Sequence, residues 1–429
     1  MKRFSPYHLL MILLIAGVAV TGCDEIFGTK SDPVTDEIFE EGRQDPNLIV
    51  DEAGYAALLP FWDHFDRPTD VMVGFDELVY VTDASGLHIL DRAGRPYRTI
   101  PFDGATRVVQ DRLLNVYVSA RIDTVANPSH PDVSWNLPAV FKLENPGSGN
   151  ENVLDTLIMP FADDSYTAGA RSRRLNPARD DNFDKVELTG LGVLHDNTIY
   201  VARRGPQNVT GQITTPDNTI LIYGAVSDAS GNPTGKMQNT GQIRALNPNN
   251  PSLLSGVGIG DMTTLVGAPQ RENMTENLSF ILTQADTTRN IPIRVLWIDA
   301  TMTIDGLVYS PRSELMNMDT TRAESFLYQT NRFSQPSGVA YSADARGHIF
   351  VTDAAKDSLF LFQSNGQEGK VPEAGSERTK ADNVSFGGRG SGPRQFRDPG
   401  GVAYFRRVVY VADTGNNRIS RFKLNTDFE

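Results

Sequence analysis

The sequence contains a single cysteine, Cys23, among 429 residues. One cysteine cannot form an internal disulfide, so a packed core must stabilise the fold. The six histidines include no pair with the H-x-x-H or H-E-x-x-H spacing of a zinc site; they are His8, His64, His88, His130, His195 and His348. The G-x-S-x-G motif of the hydrolase nucleophile elbow is also absent. The sequence therefore carries no local signature of a disulfide framework, a zinc site or a serine hydrolase.

The chain also lacks an apolar run long enough to span a bilayer. The run from Leu9 to Val20 has twelve residues, whereas a spanning helix needs about 20. It follows a basic start, Met1-Lys2-Arg3, and is followed by Thr21-Gly22-Cys23, so the segment resembles a signal peptide that ends in a bacterial lipobox. This resemblance implies a signal peptide over residues 1–22 and a lipid-modified Cys23 at a bacterial cell envelope, in a leaflet that the sequence does not identify. The alternative is an ordinary secretory signal with an incidental cysteine.

Positive charge is scarce, since the formal net charge is −13. Ten carboxylates and only two basic residues, Lys30 and Arg43, lie between Asp24 and Glu52. This composition predicts a flexible acidic tether over residues 23–52. The remaining residues, 53–429, form one predicted domain without a basic stripe, which argues against a nucleic-acid partner. The cluster Arg171-Ser172-Arg173-Arg174 is surrounded by aspartates and is interpreted as a solvated loop.

Residues 53–429 contain a recurring series of short β-rich segments. The last copy runs from Gly401-Val402-Ala403-Tyr404 through Val408-Val409-Tyr410-Val411-Ala412 to Arg418-Ile419-Ser420-Arg421-Phe422, with turn residues between the segments. Two further copies begin at Pro68 and Pro336. Three strands joined by tight turns form a meander that cannot bury both faces alone, so the copies must pack against one another.

The shared pattern, P-x-x-V followed about a dozen residues later by (Y/F)-V-(T/A)-D, resembles the NHL repeat. The last copy also has the glycine-rich lead-in Gly387–Gly392 and the turn Ala412–Asn417. The resemblance is strong over residues 67–100 and 335–424 and weak between them. It implies an all-β fold, a six-bladed β-propeller with long inserted loops.

Six strands resemble Tyr410-Val411-Ala412, and we take them as the inner strands of six blades; they are Tyr80–Thr82, Val116–Ser119, Ile199–Ala202, Phe280–Thr283, Phe350–Thr352 and Tyr410–Ala412. Their wide spacing requires insertions, such as the polar stretch Ile122–Leu137. Ile293–Ile298 is predicted as the third strand of blade four, with a seventh blade as the alternative. Because the chain ends soon after Phe422, the apolar segment Tyr55–Trp62 is predicted to supply the missing outer strand of the last blade.

Three aspartates, Asp83, Asp353 and Asp413, follow these strands. The family resemblance implies a structural role, in which each carboxylate accepts turn N–H groups and connects neighbouring strands. The other three blades have Ser119, Arg203 and Gln284 at or beside this position. An incomplete ring of carboxylates argues against a metal site, and we expect no cofactor.

The favoured function is a monomeric, non-catalytic scaffold, anchored by lipid, that binds an envelope protein, peptide or glycan on one propeller face. The alternative is a metal-dependent enzyme, lactonase-, esterase- or lyase-like, with its site in the central channel. Its ligands would be dispersed, and weak candidates are Asp123, Asn127, Asp217 and Asn218. Three converging carboxylate or asparagine side chains would favour the enzyme, and a channel plugged by side chains would favour the scaffold.

Aromatic and methionine residues in the long loops are candidates for a recognition surface, although each can instead pack its loop onto the ring. They are Trp135, Tyr166, Phe183, Met316 and Met318.

Overall fold

The computed structural model describes residues 53–127, 130–158, 185–205, 219–243, 258–269, 276–342, 344, 346–372 and 378–428. The predicted signal peptide, Cys23, the tether and the arginine cluster at residues 171–174 lie outside these ranges, as do Tyr166, Phe183, Asp217 and Asn218. Among the described residues, no helix has the length and apolar character needed to cross a membrane.

The described residues form six antiparallel sheets of four strands each. Blades one and two contain β2 (Asp70–Val73), β3 (Val79–Asp83), β4 (Gly86–Leu90), β5 (Pro96–Pro101), β6 (Arg107–Gln110), β7 (Val116–Asn127), β8 (His130–Leu143) and β9 (Val153–Ile158). Blades three and four contain β10 (Glu187–Val193), β11 (Ile199–Arg204), β12 (Ile220–Ser227), β13 (Pro233–Ile243), β14 (Ile259–Thr264), β15 (Phe280–Gln284), β16 (Val295–Thr303) and β17 (Gly306–Pro311). Blades five and six contain β18 (Pro336–Tyr341), β19 (Ile349–Asp353), β20 (Ser358–Phe362), β21 (Phe386–Gly387), β22 (Val402–Phe405), β23 (Val408–Asp413), β24 (Arg418–Leu424) and, from the start of the chain, β1 (Tyr55–Ala57).

The ring is closed by the strand that comes first in sequence. β1 pairs with β24, with Tyr55 opposite Leu424, and so becomes the outermost strand of blade six. The prediction that the segment starting at Tyr55 completes the last blade is confirmed. The blade count of six and the placement of Ile293–Ile298 in the third strand of blade four, β16, are also confirmed.

Two sequence interpretations were wrong. The strands taken as innermost are the second strands of their sheets, and the first strands β2, β6, β10, β14, β18 and β22 line the channel. Second strands are covered on both faces and on both edges, which is why they read as continuous apolar runs. The stretch Ile122–Leu137, expected as an inserted loop, extends β7 and β8 into one long hairpin.

The two faces of the ring are defined by strand direction. We call the face at which the first strands begin the upper face, and the face at which they end the lower face. In each antiparallel sheet the second strand returns to the upper face and the third descends again, so the turn between third and fourth strands lies at the lower face. Because Tyr55 lies opposite Leu424, the last residue of β24, the chain also enters the propeller at the lower face.

Candidate functional site

One position near the start of each first strand faces the centre of the ring. The strand registers make six positions equivalent: Asp70, Arg107, Gly190, Asp261, Gly338 and Gly401. A Cβ atom on any of the three glycines would come closer than 3.0 Å to the neighbouring first strand. The glycines therefore let the strands approach closely, and the three polar side chains occupy the centre of the ring.

The Arg107 guanidinium binds backbone carbonyls from five of the six blades. Nη1 donates to Thr69 and Thr106, both at 3.2 Å, and Nη2 donates to Gly260 and Ser337, both at 2.9 Å. Nε donates to the Thr189 carbonyl at 2.7 Å and lies 3.0 Å from Asp261 Oδ1. A guanidinium has five N–H donors, and all five are used here. Arg107 consequently has no donor left for a ligand or a developing anion.

Two buried carboxylates accompany Arg107. Asp261 accepts the Val339 N–H at 3.0 Å, and Asp70 accepts the N–H groups of Val71 and Val108 at 2.9 and 3.0 Å. Each aspartate thus connects its own blade to the next one. Burial raises the pKa of Asp70 to about 7, although the Arg107 charge opposes the shift, and burial also raises the pKa of Asp261.

Arg107 separates two cavities along the axis of the ring. Below it, the first strands enclose a narrow cavity of about 90 Å³, whose lining includes Val71, Val193 and Val339. Above it, a cavity of about 450 Å³ lies at the upper face. We call this upper cavity the cup. The channel is therefore closed between the two faces by an arginine whose donors are all occupied.

The cup is lined by hydroxyl groups and small apolar side chains. The hydroxyl residues are Thr69, Thr106, Ser119, Thr189, Ser337 and Thr414, and the apolar residues include Pro138, Leu188, Ala285, Ala354 and Pro399. Several hydroxyls donate to a carbonyl of the next blade, as Ser119 does to Leu188 at 2.7 Å and Thr189 to Ile259 at 2.8 Å. Their hydrogens are thereby used, so these hydroxyl oxygens can only accept further hydrogen bonds. The charged residues on the wall are Arg107, Arg121, Glu187, Arg204 and Asp398, and of these Arg204 and Glu187 pair with each other.

The three aspartates predicted from the repeats lie in the turns after the second strands. Asp353 accepts N–H groups from Ser334, Gln335, Ala355 and Lys356 at 2.6–3.1 Å. Asp413 and Asp83 make comparable sets of bonds; their partners include Arg397, Asn416 and Arg418 for Asp413, and Asp66, Ser85 and Gly86 for Asp83. None of the three is among the residues that line the closed channel.

Asp83, Ser85 and His88 form a cluster that has the residue types of a catalytic triad. His88 Nε2 lies 2.8 Å from Asp83 and 3.0 Å from Ser85 Oγ, and its Nδ1 lies 3.1 Å from the Thr99 hydroxyl. Ser85 Oγ also donates to Asp83 at 2.7 Å. Nε2 must carry the proton that binds the carboxylate, so it cannot accept the serine proton. The cluster orders the turn and does not activate a nucleophile.

The remaining candidates do not converge. His88, His195 and His348 belong to blades one, three and five, and burial lowers the pKa of His348 to about 4. Asp123 accepts a hydrogen bond from Asn136 on the β7–β8 hairpin, and Asn127 ends β7. Trp135 and Met318 pack against apolar clusters, whereas Met316 is exposed. Within the described ranges, no three His, Cys, Asp or Glu residues are grouped to hold a metal ion.

Sequence reasoning did not identify Arg107 or the two channel aspartates. In the sequence, Arg107 looks like an ordinary charged residue at the start of the strand that continues with Val108-Val109. Its hydrogen-bond partners lie up to 230 positions away in sequence. One sequence signal could have indicated them. The equivalent position at the start of the six first strands is a charged residue in three blades and glycine in the other three.

Comparison with known proteins yields a family match and distant structural neighbours. The family model of the NHL repeat matches residues 396–422. A Bacteroides thetaiotaomicron protein of unknown function has 12% identity and a TM-score of 0.48, with 87% of this chain and 77% of that chain covered. An auxiliary nutrient binding protein from Bacteroides ovatus has 10% identity and a TM-score of 0.46, with 89% and 75% covered. Virginiamycin B lyase from Staphylococcus aureus has 9% identity and a TM-score of 0.38, with 87% and 99% covered. No curated protein matches the sequence.

Proposed function

We propose that this chain, which is a six-bladed β-propeller of the NHL-repeat family, is a non-catalytic scaffold that holds a protein, peptide or glycan at its upper face. The observation that carries the proposal is the closure of the channel by Arg107. All five donors of this side chain bind protein carbonyls from five blades. The Arg107 guanidinium therefore stabilises the ring and has no free N–H donor with which to bind a substrate.

The cup supports a binding role. Its volume of about 450 Å³ falls in the usual range of sites for small ligands or inserted side chains, about 300–1,000 Å³. The hydroxyl oxygens on its wall accept hydrogen bonds, and its alanine, proline and leucine side chains offer apolar contact. A ligand with hydroxyl or amide donors and small apolar groups, as in a peptide or a sugar, matches that surface.

The location belongs to the same proposal. A signal peptide over residues 1–22, a lipid on Cys23 and an acidic tether over residues 23–52 would anchor the propeller at a bacterial envelope membrane. The chain enters the propeller at the lower face. An anchor attached there leaves the cup, on the opposite face, accessible to a partner.

The metal-dependent enzyme has less support. Lactonase-like or lyase-like chemistry in the channel would require several carboxylate or asparagine oxygens converging on an open position. The channel brings together two carboxylates, Asp70 and Asp261, and the Arg107 guanidinium lies beside both of them. A cation at that position would compete with the arginine for the same oxygens.

Site-specific photo-crosslinking in the producing cells tests the binding role. A photoreactive phenylalanine analogue would replace Ala285 or Ala354 in the cup, and Tyr97 on the outer strand β5 would serve as the control position. We expect adducts from the two cup positions and few from position 97. Adducts that are equally abundant at all three positions, or metal-dependent turnover abolished by Asp261→Asn in a folded protein, would contradict the scaffold.

A further inference from the structure

The hairpin formed by β16 and β17 ends in an exposed apolar tip. β16 is buried from Val295 to Ile298 and becomes exposed toward its end. At the turn, Met302 is 73% exposed and Ile304 is fully exposed. Leu307 and Val308 on the returning strand are 37% and 46% exposed. We call residues 302–308 the apolar tip.

The apolar tip is not a general property of hairpins on this face. The β12–β13 hairpin of the neighbouring blade also turns at the lower face, and its turn is polar, with Asp228 bonded to Ser230 and Asn232. Water is an unfavourable environment for four clustered apolar side chains, whereas polar turn residues are well solvated. The difference indicates that the apolar tip contacts something that the polar turn does not.

The shape of the tip fits insertion into a lipid bilayer better than contact with a flat protein surface. Leu307 and Val308 are adjacent in a strand, so they point to opposite faces of the ribbon, and Met302 lies opposite Leu307. Apolar groups therefore surround a narrow finger. A stable copy-to-copy interface needs about 800 Å² on each partner, far more than one face of a two-stranded tip provides. A bilayer surrounds an inserted finger from all sides.

The tip lies on the face where the chain enters the propeller. Between Cys23 and the first described residue, Ala53, there are 29 residues, which reach about 30 Å as a coil and at most about 100 Å when extended. Other groups on the lower face suit a lipid surface as well. Leu113 is 64% exposed in the β6–β7 turn. Arg406 and Arg407 lie in the β22–β23 turn and are partly exposed, with Glu77 and Asp427 as their ion-pair partners; a lipid phosphate at this face would compete with those carboxylates.

We propose that the apolar tip inserts into the interface of the phospholipid bilayer that carries the lipid anchor. The lipid and the tip then form two contacts with the same membrane, which orients the propeller with its cup away from the bilayer. Asp305 in the turn keeps the insertion shallow, at the boundary between headgroups and acyl chains. The proposal rests on the lipid anchoring proposed above.

The test uses the full lipidated chain in phosphatidylcholine vesicles. In an Ile304→Cys variant the introduced cysteine is the only free thiol, since Cys23 carries the lipid, so a polarity-sensitive fluorophore labels a single position. We expect a blue-shifted emission that spin-labelled lipids quench severalfold more strongly than they quench the same fluorophore in Ser230→Cys, the matched position on the polar hairpin. Because both side chains are exposed, neither substitution should change the melting temperature. In Ile304→Cys combined with Leu307→Asp, the excess quenching should disappear.

Three results would overturn the proposal, and they are distinguishable. A fluorophore at position 304 that emits like the one at position 230 and is quenched by aqueous iodide would reject the insertion while leaving the anchor intact. A Cys23 peptide without acyl chains, seen by mass spectrometry, would reject the anchor and the insertion together. Excimer emission from pyrene at position 304, dependent on protein concentration, would identify contact between copies of the chain instead.

Discussion

Arg107 performs at the centre of the ring the role that a bound cation could perform. It lies beside the Asp70 and Asp261 carboxyl groups and donates to carbonyls that converge from five blades. The carbonyls belong to equivalent positions, the residues that precede the ring-facing side chains. A single side chain thus couples segments that are far apart in sequence, and its removal leaves the converging dipoles without a counter-charge.

Replacing Arg107 with methionine is expected to destabilise the propeller by about 3–5 kcal/mol, because Asp261 and the carbonyls lose their donors while remaining buried. Urea denaturation followed by fluorescence measures this change. Arg95→Met is the control, since that side chain is 82% exposed and pairs with Asp91 at the surface; it should cost less than about 1 kcal/mol.

A chemical rescue separates the specific role of the guanidinium from a general packing defect. In Arg107→Ala, methylguanidinium at low concentration should raise the melting temperature, because the space retains the acceptors that the arginine used. It should not raise the melting temperature of the wild type. Equal responses of the two proteins would show that the acceptors do not bind a guanidinium group specifically.

Asp70 is expected to make stability depend on pH. Its pKa is raised to about 7 by burial in the folded chain and is 3.8 without the fold. Between pH 4 and 7 the folded chain therefore keeps a proton that the unfolded chain has released, so the free energy of unfolding decreases as pH rises through this window. The decrease should be roughly 2–4 kcal/mol. It should be smaller in Asp70→Asn, which keeps only Asp261, whose pKa is also raised by burial.

The matched control for Asp70 is Asp83→Asn. Burial acts against the ionised Asp83, but hydrogen bonds from His88, Ser85 and Asp66 overcome it and lower its pKa well below the usual range. Its contribution is therefore present above pH 4 and is lost as the pH falls below that value. Parallel pH profiles for wild type and Asp70→Asn would contradict the assignment of the pH 4–7 window to Asp70.

At the scale of elements, some strands can be predicted from their local sequence more readily than others. Second strands such as Tyr410-Val411-Ala412 are buried on both faces and could be recognised from apolar and β-branched composition alone. First strands could be recognised only in the three strong repeats, as with Gly401-Val402-Ala403-Tyr404, because their ring-facing residues are glycine, aspartate or arginine and leave a short apolar run. The close packing of neighbouring blades around the axis determines those residues. At Gly401, for example, a Cβ atom would clash with Asp70 of the next blade.

The closing strand β1 was predictable by counting, since the last repeat lacks a fourth strand. Tyr55 in β1 is buried, with its ring 6.3 Å from that of Phe350 and 5.9 Å from that of Phe386. Tyr55→Ala is expected to lower the free energy of unfolding by about 3–5 kcal/mol through the loss of apolar contact and the cavity that remains. The denaturant midpoint measures this effect.

Tyr97→Ala provides the control for the closing strand. Tyr97 also lies on an outermost strand, β5, but its side chain is 58% exposed. The substitution should change stability by no more than about 0.5 kcal/mol. Similar losses for Tyr55→Ala and Tyr97→Ala would mean that β1 does not hold the ring closed.

At the scale of the whole molecule, the two faces of the propeller differ in character. The upper face carries the cup, and the lower face carries the chain entry and the apolar tip. The repeats in the sequence predicted the number of blades and the closure of the ring. They could not predict the closed channel, because that depends on one arginine meeting carbonyls from five separate segments.

Thermal melting combined with elemental analysis of the purified full-length protein tests most directly whether Arg107 occupies the position that a channel metal would need. Samples treated with EDTA, with added Ca²⁺ and with neither should melt at the same temperature, and no metal should be present at a stoichiometric level. A stoichiometric metal together with a melting temperature that falls on chelation would contradict the claim and favour the enzyme.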